Sequence, residues 1–292
     1  MTWRSYVYWR KRPFSGEHIN VDENGVRTTF NPAPDSSSNL RIFTFGGSTM
    51  WGAGARDDGT IASFIARSLD ERGYGQFQVT NYGEDGYVFT QEMIALLLEI
   101  RRANVPDIVI FYDGVNDSDS VAQTGRAGLP LNEVNRVAEF NYIPTTPDYL
   151  REKSKFIMGA MNLAERRDPG PPPQLEFPPA PRPSSTPVLA EEQLRVYWAN
   201  VRTIRAMARE FGFEAYFFWQ PRLLTKKALS EEEQRIIDAA GGPIASGLQE
   251  MFNDRNDTVY SDLVHIGEEG NQIVAAEMVN RIETRSGKLK RK

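Results

Sequence analysis

A serine, a histidine and an aspartate in this chain could act together as a nucleophile and its base. Ser48 follows a short apolar run, and Gly46-Gly47 directly before it is typical of a strand end. Asp262 and His265 lie three residues apart near the C-terminus. In such a set the serine attacks a carbonyl carbon, the imidazole takes its proton, and the carboxylate orients the imidazole. The three residue types therefore predict acyl transfer, although Ser48 alone is also typical of a turn.

Two further segments carry groups suited to stabilising an oxyanion. Gly86 can bring its backbone close to a ligand, and Asn116 has an uncharged NH2 donor. The amides of Ser48 and Gly86, with the side chain of Asn116, are predicted to form an oxyanion hole, in which each donor contributes about 100- to 1000-fold in rate. Taken alone, Gly86 is also typical of a turn and Asn116 of a helix cap.

Two aromatic residues adjoin these segments. Trp51 follows the serine and Tyr87 follows the glycine. Rings of this kind often wall an acyl or sugar pocket, which makes both candidates for substrate binding. Packing in the core suits them equally well. The second histidine of the chain, His18, lies in a polar N-terminal stretch and is predicted to be exposed.

Alternating strand and helix patterns are predicted to position these residues. Strands are predicted at Arg41–Phe45, Phe77–Asn81, Asp107–Tyr112 and Ala215–Trp219, with a weaker one at Thr258–Tyr260. Helices are predicted at Ile61–Arg72, Thr90–Ala103, Leu194–Phe211 and Asn271–Ile282. This order favours an α/β protein in which helices cover both faces of a central parallel sheet, a three-layer α/β/α sandwich. Because the carboxyl ends of parallel strands share one edge, the site residues are expected to converge there.

The predicted core occupies most of the chain. Residues 1–40 are predicted to be an irregular N-terminal arm, 41–285 a single domain, and 286–292 a solvated basic tail. An insertion is predicted at about 118–190, and insertions of this kind often shape substrate specificity. Its segment 169–187 holds nine prolines, which exclude a helix or a central strand there and predict a surface loop.

Composition excludes several classes of function. The net charge of -5 argues against a nucleic-acid partner. The chain has no cysteine and two histidines, so a thiol nucleophile is excluded and neither a metal nor an organic cofactor is expected. No apolar run is long enough for a membrane span, and the N-terminus lacks the apolar segment of a secretion signal. As written, the N-terminus predicts a cytoplasmic protein, whereas removal of an upstream segment would fit an exported or membrane-anchored one.

Four short blocks, in order along the chain, resemble those of the SGNH hydrolases, also called the GDSL esterase/lipase family. The blocks are Gly46-Gly47-Ser48, Asn81-Tyr82-Gly83-Glu84-Asp85-Gly86, Gly114-Val115-Asn116-Asp117 and Asp262-Leu263-Val264-His265. The resemblance covers about residues 40–283. It implies a flavodoxin-like fold and a serine esterase that hydrolyses carboxylic esters, with Gly86 rather than Gly83 as the oxyanion glycine. Gly47 stands where the family has aspartate, at a position that is not catalytic.

The N-terminal arm adds an expectation about the substrate. It resembles the arm of bacterial members of that family that act on acylated polysaccharides. The resemblance implies a small-molecule or carbohydrate ester as the substrate, with a short acyl group on the sugar.

Three alternatives remain open. An O-acyltransferase, in which a sugar hydroxyl replaces water, would use the same triad, and the fold could also carry a non-catalytic binding module. The segment Asp113–Asp117 additionally resembles the metal-binding motif of haloacid-dehalogenase-like phosphatases. In that reading Arg56 stands at the position of the nucleophilic aspartate, and a cation cannot replace a carboxylate nucleophile.

Overall fold

The computed structural model of the protein describes residues 1–32, 40–141, 186–221, 248, 251–252, 259–262 and 264–291. The described strands are β1 (Thr2–Arg4), β2 (Tyr8–Arg10), β3 (Phe14–Ser15), β4 (Asn20–Val21), β5 (Leu40–Gly46), β6 (Phe77–Asn81), β7 (Ile108–Asp113) and β8 (Glu214–Trp219). The described α-helices are α1 (Ser48–Trp51), α2 (Ile61–Glu71), α3 (Phe89–Arg101), α4 (Val115–Thr124), α5 (Glu133–Asn141), α6 (Thr186–Phe211) and α7 (Glu268–Glu283), and a 3-10 turn spans Asp57–Gly59.

The chain divides into two compact units. The larger comprises Met1–Leu131 and Pro183–Lys292, and the smaller comprises Asn132–Arg182, in which α5 is the described element. The smaller unit falls within the predicted insertion at about 118–190, whose bounds remain a prediction. Of the Pro-rich segment 169–187, residues 169–185 lie outside the described residues.

The central sheet of the larger unit is parallel. Its strands lie in the order β6-β5-β7-β8, and each of the three strand pairs runs parallel. This order matches the first four strands of a flavodoxin-like sheet, in which the chain turns to the opposite side after its second strand. The strands β5 and β7 therefore flank the switch point, where ligands bind outside the carboxyl ends. The four predicted strands of this sheet agree with the observed ones within one residue at either end.

Alternate side chains of the strands fill two separate cores. On one face, Ile42 and Ile110 belong to a cluster with residues of α2 and α7. On the other face, Phe45 and Phe111 belong to a cluster with residues of α3 and α6. All six residues of β7 are buried, as expected for a parallel strand covered on both faces. The predicted three-layer α/β/α sandwich is confirmed.

The prediction of an irregular arm is wrong for residues 1–32. The strands β1 and β2 form one antiparallel hairpin, and β3 and β4 form another. Asn31 then bonds both the N–H and the C=O of Val79 through its side-chain amide, at 2.8 and 3.0 Å. Arg27 bridges Asn81 in the antiparallel sense. The arm thus occupies hydrogen-bonding groups of the edge strand β6 that would otherwise be open to another strand.

The prediction of a solvated basic tail is also wrong, for residues 286–291. Lys288 Nζ pairs with Asp107 at 3.2 Å, and Arg291 pairs with Glu283. Ser286 donates its hydroxyl hydrogen to Glu214, and half-buried Leu289 packs against the core. Carboxylates near the starts of β7 and β8 and at the end of α7 hold the tail against the sheet. In the described part of the chain, no helix has both the length and the apolar character needed to cross a bilayer.

Candidate active site

Ser48 opens the helix α1, directly after the central strand β5. Gly47 caps this short helix, and its carbonyl accepts the N–H of Trp51 at 3.0 Å. The N–H of Gly52 closes the turn on the carbonyl of Ser48 at 2.9 Å. The turn leaves Ser48 half-buried at the switch point between β5 and β7. A serine that follows a glycine pair at a strand end is therefore presented where the topology places ligands.

The structure brings Ser48, His265 and Asp262 into one connected set. Ser48 Oγ lies 2.7 Å from His265 Nε2, and His265 Nδ1 lies 2.6 Å from Asp262 Oδ2. An ionised carboxylate can only accept hydrogen bonds, so the ring nitrogen that faces Asp262 carries the hydrogen. The other nitrogen, Nε2, is then free to accept the serine proton. The geometry matches a nucleophile, a base and a group that orients the base.

Asp262 is held in its ionised form by its neighbours. Burial alone would raise the pKa of Asp262, but hydrogen bonds from the His265 and Val264 amides and from the His265 ring lower that pKa to about 2. Both amides donate to Asp262 Oδ1 at 2.8 Å, while Oδ2 faces the ring. The carboxylate therefore fixes both the backbone and the ring of the histidine that it serves.

The loop that carries His265 is a small closed turn. Tyr260 and Ile266 form an antiparallel bridge, and the N–H of Gly267 donates to the carbonyl of Val259 at 2.9 Å. The weaker strand was predicted at Thr258–Tyr260. The structure shows only this bridge at Tyr260, and Thr258 lies outside the described residues. Gln220, directly after β8, donates from Nε2 to the carbonyl of Val264 at 3.1 Å. Gln220 was not predicted, although its place at the carboxyl end of a strand could have drawn attention to it.

Asn116 lies against the backbone that precedes the serine. Its Nδ2 donates to the carbonyl of Tyr87 at 2.7 Å, which engages one of its two hydrogens and leaves the other available. A Cβ atom added to Gly47 would lie 2.2 Å from this Nδ2. The glycine that departs from the family pattern thus leaves the space that the amide of Asn116 fills. Tyr87 and Asn116 join the second and third blocks at this contact.

Gly86 adopts a backbone conformation that suits glycine. Its φ is +72°, in the left-handed region, and the residue is half-buried. Within the part of the chain that the structure describes, its N–H makes no hydrogen bond. A half-buried amide hydrogen without a partner is the type of donor that an oxyanion hole requires.

Asn81 ties the glycine loop to the nucleophile turn. Its Nδ2 donates to the carbonyl of Met50 at 2.8 Å, and its Oδ1 accepts the N–H of Gly83 at 2.9 Å. The N–H of Glu84 donates to the carbonyl of Gly46 at 3.0 Å. The first and second blocks are therefore bonded to one another through buried polar contacts.

Tyr87 and Trp51, the two aromatic candidates for a pocket wall, each contact other side chains of the protein. Tyr87 is buried, its ring meets Trp9 edge to face at 5.7 Å, and its hydroxyl donates to the carbonyl of Trp9. The core role suits Tyr87 better than the pocket role. The ring of Trp51 carries two cations, Lys11 Nζ at 4.1 Å and the Arg27 guanidinium at 4.4 Å from its centroid. His18 is exposed, as predicted.

A group of buried acids lies on the elements next to the predicted oxyanion residues. Glu92 in the first turn of α3 and Asp113 at the end of β7 are both buried, and burial and their mutual contact hold the pKa of Glu92 well above its usual range. Burial likewise raises the pKa of Asp113, and it raises that of Asp117 to about 6. Burial and the neighbouring acids therefore favour the protonated forms of Glu92, on α3, and Asp113, on β7.

The described residues were also compared with the pattern of a metal site. Within them, no group of three or more histidine, aspartate or glutamate side chains is arranged to hold an ion.

Comparisons with known proteins give a likeness to esterases among solved structures. No family model and no curated protein matches the sequence. The chain is similar to the lipase/acylhydrolase from Enterococcus faecalis, with 16% identity, a TM-score of 0.43, and coverage of 86% of this chain and 98% of that one. It is similar to the acetylxylan esterase Axe2 from Geobacillus stearothermophilus, with 13% identity, a TM-score of 0.43, and coverage of 84% and 94%. It is also similar to the esterase EstA from Pseudoalteromonas sp., with 11% identity, a TM-score of 0.41, and coverage of 84% and 98%. At these values the reaction has to follow from the side chains of the site.

Proposed function

We propose that this protein is a serine esterase of the SGNH hydrolase type, with Ser48 as nucleophile, His265 as base and Asp262 as the group that orients the base. The observation that carries the proposal is the pair of short contacts that runs from Ser48 Oγ through the imidazole to the carboxylate, at 2.7 and 2.6 Å. A serine hydroxyl is a weak nucleophile until an adjacent base takes its proton. The short distance from Ser48 Oγ to His265 Nε2, with Asp262 against the other ring nitrogen, supports this assignment.

The reaction proceeds in two balanced steps. Ser48 Oγ attacks the ester carbonyl carbon while its proton passes to His265 Nε2. The carbon–oxygen bond to the alcohol then breaks, and the alcohol leaves with that proton. Water attacks the acyl-enzyme, gives a proton to Nε2, and releases the acid as Ser48 regains its hydrogen. Asp262 stays ionised throughout and stabilises the imidazolium.

The carbonyl oxygen becomes an anion in both steps, and three N–H groups are available to stabilise it. We assign this role to the amides of Ser48 and Gly86 and to the second hydrogen of Asn116 Nδ2. Gly86 contributes an unpartnered amide within the described residues, and Asn116 is held in place by its bond to Tyr87. Fixed donors of this kind act mainly in the transition state, where the charge is greatest.

For the substrate, we propose a short acyl group on a carbohydrate. The support from the sequence is the resemblance of the N-terminal arm to that of family members that act on acylated polysaccharides. The support from the structure is the exposure of the histidine side of the site. The side chain of Asp262 is 54% exposed in the described part of the chain, so a bulky alcohol can approach from this side.

The test compares wild type with Ser48→Ala and with the control Ser68→Ala on p-nitrophenyl acetate and on an acetylated oligosaccharide. Ser68 lies on α2 and is half-buried like Ser48, but it belongs to no part of the site. Removal of a triad nucleophile costs at least about 1000-fold in rate, so Ser48→Ala should lose activity while Ser68→Ala retains it. Equal rates for wild type and Ser48→Ala would contradict the proposal. A second arm adds an unacetylated sugar acceptor, and release of free acid rather than transfer to the acceptor identifies a hydrolase.

A further inference from the structure

The hairpin β1–β2 contacts the loop that carries Gly86 at several points. The indole Nε1 of Trp9 donates to the carbonyl of Asp85 at 2.8 Å. The backbone N–H of Lys11 donates to Glu84 Oε2 at 2.8 Å, and Lys11 Nζ pairs with the carboxylate of Asp85. These contacts join residues more than 70 positions apart in the chain. The hairpin lies outside the parallel sheet, so its hydrogen bonds to the loop are separate from the contacts within that sheet.

One of these bonds acts on the peptide group of the proposed oxyanion donor. The carbonyl of Asp85 and the N–H of Gly86 belong to the same peptide unit. Because a trans peptide is planar, these two groups point in opposite directions. A donor fixed on the carbonyl therefore fixes the direction of the N–H on the other side. A hydrogen bond to the carbonyl also polarises the unit and strengthens the N–H as a donor.

A turn closes around this peptide, because the N–H of Tyr87 donates to the carbonyl of Glu84 at 3.2 Å, but that bond leaves the direction of the central peptide open. Gly86 has a φ of +72°, and a glycine in a loop can rotate at low energetic cost. Its own N–H has no partner among the described residues. Among the described residues, the bond from Trp9 is thus the contact made directly on this peptide unit, at its carbonyl.

Trp9 is itself firmly placed. Tyr87 donates its hydroxyl hydrogen to the carbonyl of Trp9, and the two rings meet edge to face at 5.7 Å. On the preceding turn, the carbonyl of Val7 accepts from Gln91 Nε2 at 2.9 Å. The hairpin and the loop therefore hold one another on both sides of the Asp85–Gly86 peptide.

We propose that Trp9 is a positioning residue of the active site, whose indole N–H aims the amide of Gly86 into the oxyanion hole. The inference rests on the proposed esterase function, and it extends the site to a hairpin outside the family core. It assigns a role to the arm that is independent of substrate recognition. Trp9 acts through Gly86 and does not touch the reacting atoms.

The experiment removes the indole N–H and keeps the ring. Trp9 is replaced by benzothienylalanine, an isostere with sulfur in place of the N–H, and by phenylalanine in a second variant. The control is Trp3→Phe on the same hairpin, because the Trp3 ring is 62% exposed and stacks on Tyr8 rather than on the loop. Two readouts are taken for each variant: kcat and KM for p-nitrophenyl acetate, and amide hydrogen exchange of the peptide that covers residues 82–91.

Loss of the bond should lower kcat about tenfold with KM within twofold of wild type, because the donor acts in the transition state. Exchange of the loop should accelerate in both Trp9 variants and stay unchanged in Trp3→Phe. Unchanged exchange, or a change confined to KM, would overturn the inference. The exchange readout needs no activity. If wild-type protein hydrolyses no ester, the proposed function fails, while the exchange data still decide whether the indole holds the loop.

Discussion

The two sides of the candidate site are held by different kinds of contact. On the arm side, which comprises the nucleophile turn and the Gly86 loop, Arg27 is fully buried. It donates to the carbonyls of Gly52 and Ala55 at 2.6 Å each and to Asp57 at 2.9 Å. On the histidine side, which comprises Asp262–His265 and the start of α7, the comparable ion pair joins Arg56 to Glu268, and 56% of the Arg56 side chain is exposed.

This difference separates the segment that carries Ser48, the proposed nucleophile, from the loop that carries His265, the proposed base. On the arm side, Arg27 holds the segment that follows Ser48 through buried, charge-assisted bonds, which are strong and costly to break. The histidine side relies on the local bonds of Asp262, which close the loop onto its own histidine. The segments proposed to carry the nucleophile and the Gly86 donor are thus held by contacts from the distant arm. The proposed base is held by the local bonds of Asp262 together with one bond from Gln220.

The largest effect should follow from a change on the histidine side. Asp262→Asn keeps an oxygen for the two amides but can present an NH2 group to His265 Nδ1, which favours the wrong tautomer. We expect kcat to fall by about 10,000-fold, as a wrong tautomer costs in such triads. Steady-state kinetics of Asp262→Asn beside Asp70→Asn, an exposed aspartate on α2, checks this. Retention of more than a tenth of the wild-type kcat would show that the local bonds of Asp262 do not set the base.

On the arm side, Asn116→Ala removes one oxyanion donor. We expect kcat to fall by about 100- to 1000-fold with little change in KM, because the donor acts in the transition state. The bond to Tyr87 is lost as well, so thermal unfolding is measured in parallel. An effect that falls on KM alone would assign Asn116 to substrate binding.

A paired substitution compares the two arginines directly. Arg27→Met leaves Asp57 without its buried partner and the carbonyl of Ala55 without the guanidinium donor, and it should cost about 3–5 kcal/mol of unfolding free energy. Arg56→Met breaks an exposed pair and should leave the urea midpoint close to that of wild type. Equal losses for the two variants would remove the distinction between the two sides.

A smaller effect concerns pH and the buried acids beside the oxyanion residues. Their raised pKa values mean that the folded protein keeps protons that the unfolded chain releases above about pH 4. Stability should therefore fall as the pH rises from about 4, by about 1.4 kcal/mol per pH unit for each extra proton held. The loss of stability that comes from Asp117 is complete near pH 6, because the pKa of Asp117 in the folded protein is about 6.

Glu92→Gln removes one of these titrations and keeps a polar side chain of nearly the same size. The buried hydroxyl of Tyr197 and the carboxyl of Asp117 face the same group. We expect a shallower loss of stability between pH 5 and pH 8 than in wild type, measured by urea unfolding at both values. A slope equal to that of wild type would show that Glu92 does not hold a proton in the folded protein.

The sequence predicts the parts of the molecule that repeat or alternate. The strands β5 to β8 show as apolar runs, and their order places Ser48, Gly86, Asn116 and His265 at one edge of the sheet. The contacts of the arm leave no such pattern, because Trp9 and Arg27 lie on or beside strands of two or three residues and bond to carbonyls far along the chain. Glu92 is a polar residue on an amphipathic helix, and residue type alone predicts exposure for it.

Ser48 as the single acylated residue is the central claim, and covalent labelling tests it most directly. The protein is treated with diethyl p-nitrophenyl phosphate, and the mass of the intact chain and of its peptides is measured. We predict the addition of one diethylphosphoryl group, located on Ser48, in wild type and in Ser68→Ala but not in Ser48→Ala. Asp262→Asn should react slowly at the same residue. A label on another residue, or equal labelling of Ser48→Ala, would contradict the account.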